Sequence, residues 1–258
     1  MPNFTPLYRY VLLVLSFALS YNVYSQCGGG TTITTYPYNE SFESPANTAD
    51  ALTWYQGTGD DLNWVNNAAG TPSGGTGPSA ASAGTRYMYV ESSGNGTGYP
   101  NKTAFLDSPC FDLTGITNPI FSFDYHIYGA DMGTLKLQIS TDNGGSWTDS
   151  GWSQSGQVQT SSGAAWSTGS FGLDAYTGQT IRLRMHGMTS TGYWSDMAID
   201  RINITDVPLP ACTTVSTFPY TEGFETGIGA WVQGVNGTDD DFDWTNQTVL
   251  PHRQKQGH

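Results

Sequence analysis

Residues 120–128 read IFSFDYHIY, and aromatic and polar side chains alternate along them with a period of two. Residues 135–140 (LKLQIS) and 179–186 (QTIRLRMH) alternate in the same way, with apolar residues on one face. A period of two is typical of β-strands that bury one face, and no segment shows a sustained 3.6-residue pattern. The sequence therefore predicts an all-β protein in which antiparallel strands pack as a two-sheet sandwich.

The composition supports this fold class and excludes several others. Only 12% of the 258 residues are charged, and 9 Lys and Arg stand against 22 Asp and Glu, for a net charge of −13. A nucleic-acid-binding protein needs a basic surface, so we expect no nucleic-acid partner. The chain has 32 Gly, 15 Tyr, 11 Phe and 8 Trp, a composition that favours an extracellular all-β domain over a helical bundle or a disordered chain.

Residues 1–25 are predicted to be a secretory signal peptide. Arg9 precedes an apolar run of nine residues at 11–19, and the small residues Ser20 and Ser25 follow it. Such a run is too short to span a bilayer, although a one-helix anchor is the alternative interpretation. No later segment could span a membrane, so we expect the mature chain to be secreted or attached to the cell surface.

The chain contains an internal repeat with a period of about 180 residues. Residues 36–43 (YPYNESFE) recur at 218–225 (FPYTEGFE), and residues 59–64 (GDDLNW) recur at 239–244 (DDDFDW). The second copy is too short to bury a sheet face, so we expect it to be poorly ordered. The predicted division is a domain at 26–206, a linker at 207–211 and a truncated second repeat at 212–258.

The last ten residues, 249–258 (VLPHRQKQGH), differ in character from the rest of the repeat. One hypothesis is that they are the product of a frameshift in a longer tandem gene. The alternative is a natural C-terminus of arbitrary sequence, and the DNA sequence decides between the two.

Several motifs occur in an order that resembles the MAM domain family. The resemblance extends from Tyr36 to Thr205, and it implies a jelly-roll-like antiparallel β-sandwich that acts as an adhesive or recognition module without catalysis. Arg201 departs from the family pattern, because it stands where the family carries a second acidic residue. The motifs that carry the resemblance include 41–43 (SFE), 60–64 (DDLNW), 71–78 (TPSGGTGP), 121–129 (FSFDYHIYG) and 196–202 (DMAIDRI).

Acidic residues at or near these motifs raise the hypothesis of a structural calcium ion. Clustered carboxylates repel one another unless a cation joins them, and Ca²⁺ prefers oxygen ligands. The alternative is a solvated acidic edge whose Asp side chains cap turns, and the nearby Arg201 favours this alternative. The candidate metal ligands are Glu43, Asp60, Asp61, Asp107 and Asp200.

The three cysteines are Cys27, Cys110 and Cys212. In an oxidising compartment a Cys27–Cys110 disulfide would close a long loop and contribute about 4 kcal/mol in the chain-entropy model. Cys212 would then find its partner in the missing part of the second repeat. Zinc is a poor alternative, because the sequence has no CxxC motif.

Aromatic residues in Gly/Ser-rich segments are the candidate ligand contacts, since aromatic faces stack on sugars or fill pockets of a partner protein. The alternative is that they fill the ends of the sandwich. The candidates are Trp152, Trp166, Tyr193 and Trp194.

Two further motifs are interpreted as structural. Residues 140–147 (STDNGGSW) fit an Asp-box hairpin turn, and His126 alternates with aromatic residues in a strand, as a packed or edge histidine would. There is no GxSxG motif of a nucleophile elbow.

The sequence thus predicts a non-catalytic extracellular module that binds a cell-surface protein or a glycan; the oligomeric state is left open. The alternatives are a glycan-active β-sandwich enzyme and an accessory region of a secreted peptidase.

Overall fold

The computed structural model describes residues 30–43, 53–207 and 216–221. The predictions for residues 1–25, Cys27, Cys212 and 249–258 lie outside these ranges, as does most of the predicted linker and second repeat. No helix in the described ranges is long and apolar enough to cross a membrane.

The described residues form thirteen strands and two short 3₁₀-helices, Gly94–Gly96 and Asp174–Tyr176. The strands are β1 (Thr32–Ile33), β2 (Tyr38–Glu40), β3 (Tyr55–Gln56), β4 (Trp64–Ala68), β5 (Arg86–Val90), β6 (Thr103–Asp107), β7 (Cys110–Asp112), β8 (Pro119–Ile127), β9 (Thr134–Ser140), β10 (Thr148–Ser155), β11 (Ser167–Gly172), β12 (Thr180–Met188) and β13 (Met197–Asp206).

These strands form two sheets that pack face to face. In the seven-stranded sheet, β12 lies between β9 and the strands β6 and β7, while β10, β3 and β1 lie outside them. The six-stranded sheet has the order β11-β8-β13-β5-β4, with β2 also paired to β13. All strand pairs are antiparallel except β1 with β7. The predicted antiparallel β-sandwich is therefore confirmed.

The core lies between the sheets and is built from the apolar positions of the alternating strands. The apolar residues that alternate along β9 and β12 are at most 3% exposed, as are Phe121 and Phe123 of β8. The residues of β9 and β12 are Leu135, Leu137, Ile139, Ile181, Leu183 and Met185. Burying each such side chain contributes about 2 kcal/mol or more. The period-two pattern therefore correctly identifies the inward face of these strands.

The opposite face of β8 is also covered, which the alternation does not predict. Asp124 is 3% exposed and His126 is fully buried. Ser82 donates a hydrogen bond to Asp124, and the Trp166 ring packs on His126 with 5.5 Å between centroids. Loops before β5 and β11 thus lie over the outer face of the six-stranded sheet and form a small second core there.

Candidate ligand-binding surface

Three aromatic side chains lie together on the surface in the loops that precede β6 and β13. Tyr193 is 44% exposed and Trp194 is 39% exposed, and their ring centroids are 4.8 Å apart. The half-buried Tyr99 lies against Tyr193, with 6.0 Å between centroids. We call Tyr99, Tyr193 and Trp194 the aromatic patch.

Buried hydrogen bonds fix the backbone of the patch. Ser92 Oγ lies 2.5 Å from the carbonyl oxygen of Tyr193, and it accepts a hydrogen bond from the Ser195 amide at 3.0 Å. The Asp131 amide donates to the carbonyl oxygen of Trp194 at 3.1 Å. A backbone held on both sides presents the rings in one arrangement, so binding of a ligand would cost little conformational entropy in this loop.

A buried carboxylate anchors Ser92 from below. Asp196 is fully buried, and its Oδ1 accepts a hydrogen bond from the Ser92 amide at 2.9 Å. Its Oδ2 is buried without a hydrogen-bond partner. Burial raises the pKa of Asp196 to about 6, and the nearby Glu91 also raises it, whereas hydrogen bonds from Ser92 lower it. The first Asp of the DMAIDRI motif is therefore an interior anchor of the patch.

Asp131 adds an acceptor beside the loop that carries Tyr193 and Trp194. Its carboxylate lies over the Cα of Gly192, where a Cβ would collide with it. Within the described ranges this carboxylate makes no side-chain hydrogen bond or ion pair, and it is partly exposed. The sequence pattern gave no signal for Asp131, whereas Tyr99 lies in the same kind of Gly-rich segment as the predicted aromatic contacts.

The other two predicted contacts, Trp152 and Trp166, are partly buried and pack against other aromatic side chains. Trp152 packs edge-on against Phe123, with 4.8 Å between centroids. Trp166 packs against Tyr87 at 5.6 Å, and its indole Nε1 donates to the carbonyl oxygen of Ala80 at 3.2 Å. Both side chains therefore pack against the sandwich, Trp152 at the main core and Trp166 at the small second core.

The five carboxylates predicted to bind calcium do not converge. Two of them hold loops against the six-stranded sheet. Glu43 accepts hydrogen bonds from the amides of Thr85 and Arg86 at 2.8 and 2.9 Å. Asp200 accepts from the amides of Ser82 and Ala83 at 2.9 and 3.0 Å.

The other three carboxylates lie along β6 in the seven-stranded sheet. Asp60 accepts from the Phe105 amide at 2.6 Å. Asp61 accepts from the Thr103 amide at 2.9 Å and pairs with Lys102 at 3.1 Å. Asp107 forms a buried two-point ion pair with Arg184: Nε lies 2.6 Å from Oδ1, and Nη2 lies 2.9 Å from Oδ2.

The predicted convergence is therefore wrong, because each carboxylate is neutralised or hydrogen-bonded by protein donors at its own position. Among the described residues, no group of three or more His, Cys, Asp and Glu is arranged to hold a metal ion. The five candidate ligands therefore do not form one shared site, and calcium binding by the chain stays a prediction. Arg201 is a counter-ion of Asp124, since its Nη2 lies 2.9 Å from the Oδ2 of that carboxylate.

The two structural interpretations of local motifs are confirmed. Asp142 accepts hydrogen bonds from the Ser146 amide at 2.8 Å and from Ser146 Oγ at 2.6 Å within the β9–β10 turn. Trp147 packs beneath Arg184, whose guanidinium carbon lies 4.0 Å from the ring centroid. His126 is fully buried, and burial lowers its pKa to about 4.

Cys110 is 4% exposed and disulfide-bonded. Its predicted partner Cys27 lies outside the described residues, so the Cys27–Cys110 pairing stays a prediction.

A family described as "MAM domain, meprin/A5/mu" matches residues 41–211. The MAM domain-containing glycosylphosphatidylinositol anchor protein 2 of Mus musculus is 27% identical over 192 residues, which cover 69% of this chain and 19% of that protein. The human protein of the same name is 28% identical over 161 residues, or 57% of this chain and 16% of that protein. The chain thus spans about a fifth of the length of the curated relatives it matches.

Two of the solved structures that match the chain share little sequence with it. The K1 cleaved adhesin domain of Lys-gingipain from Porphyromonas gingivalis W83 is 18% identical, with a TM-score of 0.46 over 67% of this chain and 100% of that one. The CBM22-1 xylan-binding domain from Paenibacillus barcinonensis Xyn10C is 13% identical, with a TM-score of 0.39 over 65% of this chain and 92% of that one. The family match, by contrast, covers most of the chain and nearly the whole sandwich, and this chain therefore belongs to the MAM domain, meprin/A5/mu, family.

Proposed function

We propose that this chain is a non-catalytic binding module that recognises a cell-surface protein or a glycan through the aromatic patch. The observation that carries the proposal is the pair Tyr193 and Trp194, whose rings are 44% and 39% exposed on a backbone fixed by hydrogen bonds. The other two aromatic residues predicted to contact a ligand, Trp152 in β10 and Trp166 just before β11, are packed against the sandwich.

Exposed Tyr and Trp side chains are typical of the energetic centres of binding interfaces. Each ring buries a large apolar area and also offers a polar atom, the phenol oxygen or the indole nitrogen. Truncation of such a central residue costs about 2 kcal/mol or more, which corresponds to about thirtyfold in affinity.

The test is retention of the purified full chain by cells and by a glycan array. We expect Tyr193→Ala and Trp194→Ala to reduce retention about thirtyfold each if both residues are central to the interface. Tyr55→Ala is the matched control, because Tyr55 is 46% exposed but pairs with Asp107, at the end of β6 that lies away from the Tyr99 loop. Equal retention of all three variants would refute the proposal, and thermal unfolding of each variant shows whether it is folded.

Turnover assays address the catalytic alternative. A polysaccharide that the chain degrades, with activity lost on a single carboxylate substitution, would replace the binding module by a glycan-active enzyme. Retention without turnover is the outcome that we expect.

We further propose that the chain acts outside the cell, at its surface or secreted from it. The signal-like segment at 1–25 supports this setting, as does the name of the curated relatives, which describes anchored proteins. The predicted Cys27–Cys110 disulfide agrees with this setting, because disulfides persist in oxidising extracellular compartments. The strand pairing is compatible with the disulfide, since Thr32, five residues after Cys27 in sequence, pairs with Cys110. Mass spectrometry of the non-reduced secreted chain tests the cleavage site and the pairing together.

A further inference from the structure

We infer that the aromatic patch, together with Asp131, binds an arginine or lysine side chain of a partner protein. This inference rests on the proposed function and narrows it from a protein or a glycan to a cationic protein segment.

Asp131 has no cationic partner among the described residues. Carboxylates elsewhere in the described ranges are commonly engaged by the protein itself, as Asp107 is by Arg184 and Asp61 is by Lys102. Asp131 is partly exposed, its carboxylate lies against Gly192, and within the described ranges it makes no side-chain hydrogen bond or ion pair. A free carboxylate can accept two parallel hydrogen bonds from a guanidinium group.

The aromatic rings of the patch also favour a cationic ligand. A guanidinium or ammonium group is attracted to the face of Trp and, less strongly, of Tyr. This chain already uses the same contact internally, since the guanidinium carbons of Arg182 and Arg184 lie 4.8 Å from the Tyr55 centroid and 4.0 Å from the Trp147 centroid. At the patch, the rings and the carboxylate are present, and the described residues supply no cation.

The charge of the chain is complementary to that of a basic partner. Each of the six basic residues in the described ranges has a polar or acidic partner that is not part of the patch: Arg86, Lys102, Lys136, Arg182, Arg184 and Arg201. Glu91, at the end of β5, adds a second carboxylate near Ser92. With a net charge of −13, the chain attracts a basic partner and repels an acidic glycan or a second copy of itself.

Calorimetric titration of the full chain at low ionic strength tests the inference. The probe is a short peptide that alternates glycine and arginine, and the matched probe replaces each arginine by citrulline, which is neutral and has nearly the same shape. The variants are Asp131→Asn and Trp194→Ala. Asp174→Asn is the control, since it removes an equal charge from an exposed position in a remote 3₁₀-helix.

We expect the arginine peptide to bind the wild type and Asp174→Asn equally. The affinity should fall about two- to fivefold in Asp131→Asn and at least as much in Trp194→Ala. The citrulline peptide should bind more weakly than the arginine peptide to the wild type, with little difference among the variants.

The inference is overturned by equal affinity of the arginine peptide for all variants, by equal affinity of the two peptides, or by binding of a neutral oligosaccharide at the patch without binding of the arginine peptide. Self-association that Trp194→Ala abolishes would also overturn it. Each of these leaves the proposed function standing if Tyr193→Ala still prevents retention by cells. The proposed function fails separately if that variant is retained like the wild type.

Discussion

The buried carboxylate beneath the aromatic patch makes a sharp prediction about the pH dependence of stability. Burial raises the pKa of Asp196 to about 6 from 3.8. The folded chain therefore binds this proton more tightly than the unfolded chain, and its free energy of unfolding falls as the pH rises from 3.8 through 6. At 1.36 kcal/mol per pKa unit, the ionised carboxylate costs the fold about 3 kcal/mol above pH 6.

Asp196→Asn removes this ionisation and little else. The amide oxygen can still accept from Ser92, while the amide nitrogen replaces Oδ2, which has no partner. An unsatisfied donor costs about 1 kcal/mol at every pH. We expect the variant to be about 1 kcal/mol less stable than the wild type at pH 3 and about 2 kcal/mol more stable at pH 8.

Urea unfolding followed by tryptophan fluorescence, at several pH values from 3 to 8, measures this difference. The decisive quantity is the change in the stability difference with pH, because packing effects of the substitution cancel in it. Asp174→Asn should give a profile parallel to that of the wild type. If Asp196→Asn also runs parallel to the wild type, the carboxylate is not held in a buried site and the anchor role is refuted.

Three other predictions concern the interior. Burial lowers the pKa of His126 to about 4. The free energy of unfolding contributed by its neutral ring is therefore fully present above pH 6.5 and is lost as the pH falls towards 4. An NMR titration of His126 with a midpoint near 6.5 would contradict this. Asp107→Ala leaves Arg184 buried without its counter-ion and should cost about 3–5 kcal/mol in urea unfolding; a loss below about 1 kcal/mol would mean that water reaches the pair. Gly133→Ala places a Cβ against the carbonyl group of Met188, which should cost about 1–3 kcal/mol, and an unchanged melting temperature would show that this contact is loose.

The fold was predictable because its strands carry their own signal. Alternation along β8, β9 and β12 correctly identified the inward face of each strand, since side chains in a strand point to opposite faces with a period of two. The burial of Asp124 and His126 was not predictable in this way. It depends on loops that are distant in sequence and return over the outer face of β8.

The candidate site was predictable only in part, for a related reason. Trp152, Trp166, Tyr193 and Trp194 occur in segments of similar composition, and local sequence cannot say which rings find a partner. Trp152 and Trp166 meet aromatic residues of other strands, whereas Tyr193 and Trp194 meet mainly each other and Tyr99.

The acidic motifs were misinterpreted because the partners of a carboxylate are not visible in the sequence. Glu43 and Asp200 could have faced a cation or backbone amides, and both readings fit the same letters. In the fold, backbone amides about 40 and about 120 residues away reach them. Long-range hydrogen bonds of this kind are set by the sheet topology rather than by local pattern.

The most direct test of the account is oxidative labelling of exposed aromatic side chains in the free chain and in the chain bound to cells. We predict that Tyr193 and Trp194 lose most of their labelling on binding, while Tyr55, which lies in β3 outside the patch, is labelled equally in both states. Unchanged labelling of Tyr193 and Trp194, with protection at Tyr55 instead, would contradict the claim that the aromatic patch is the binding surface.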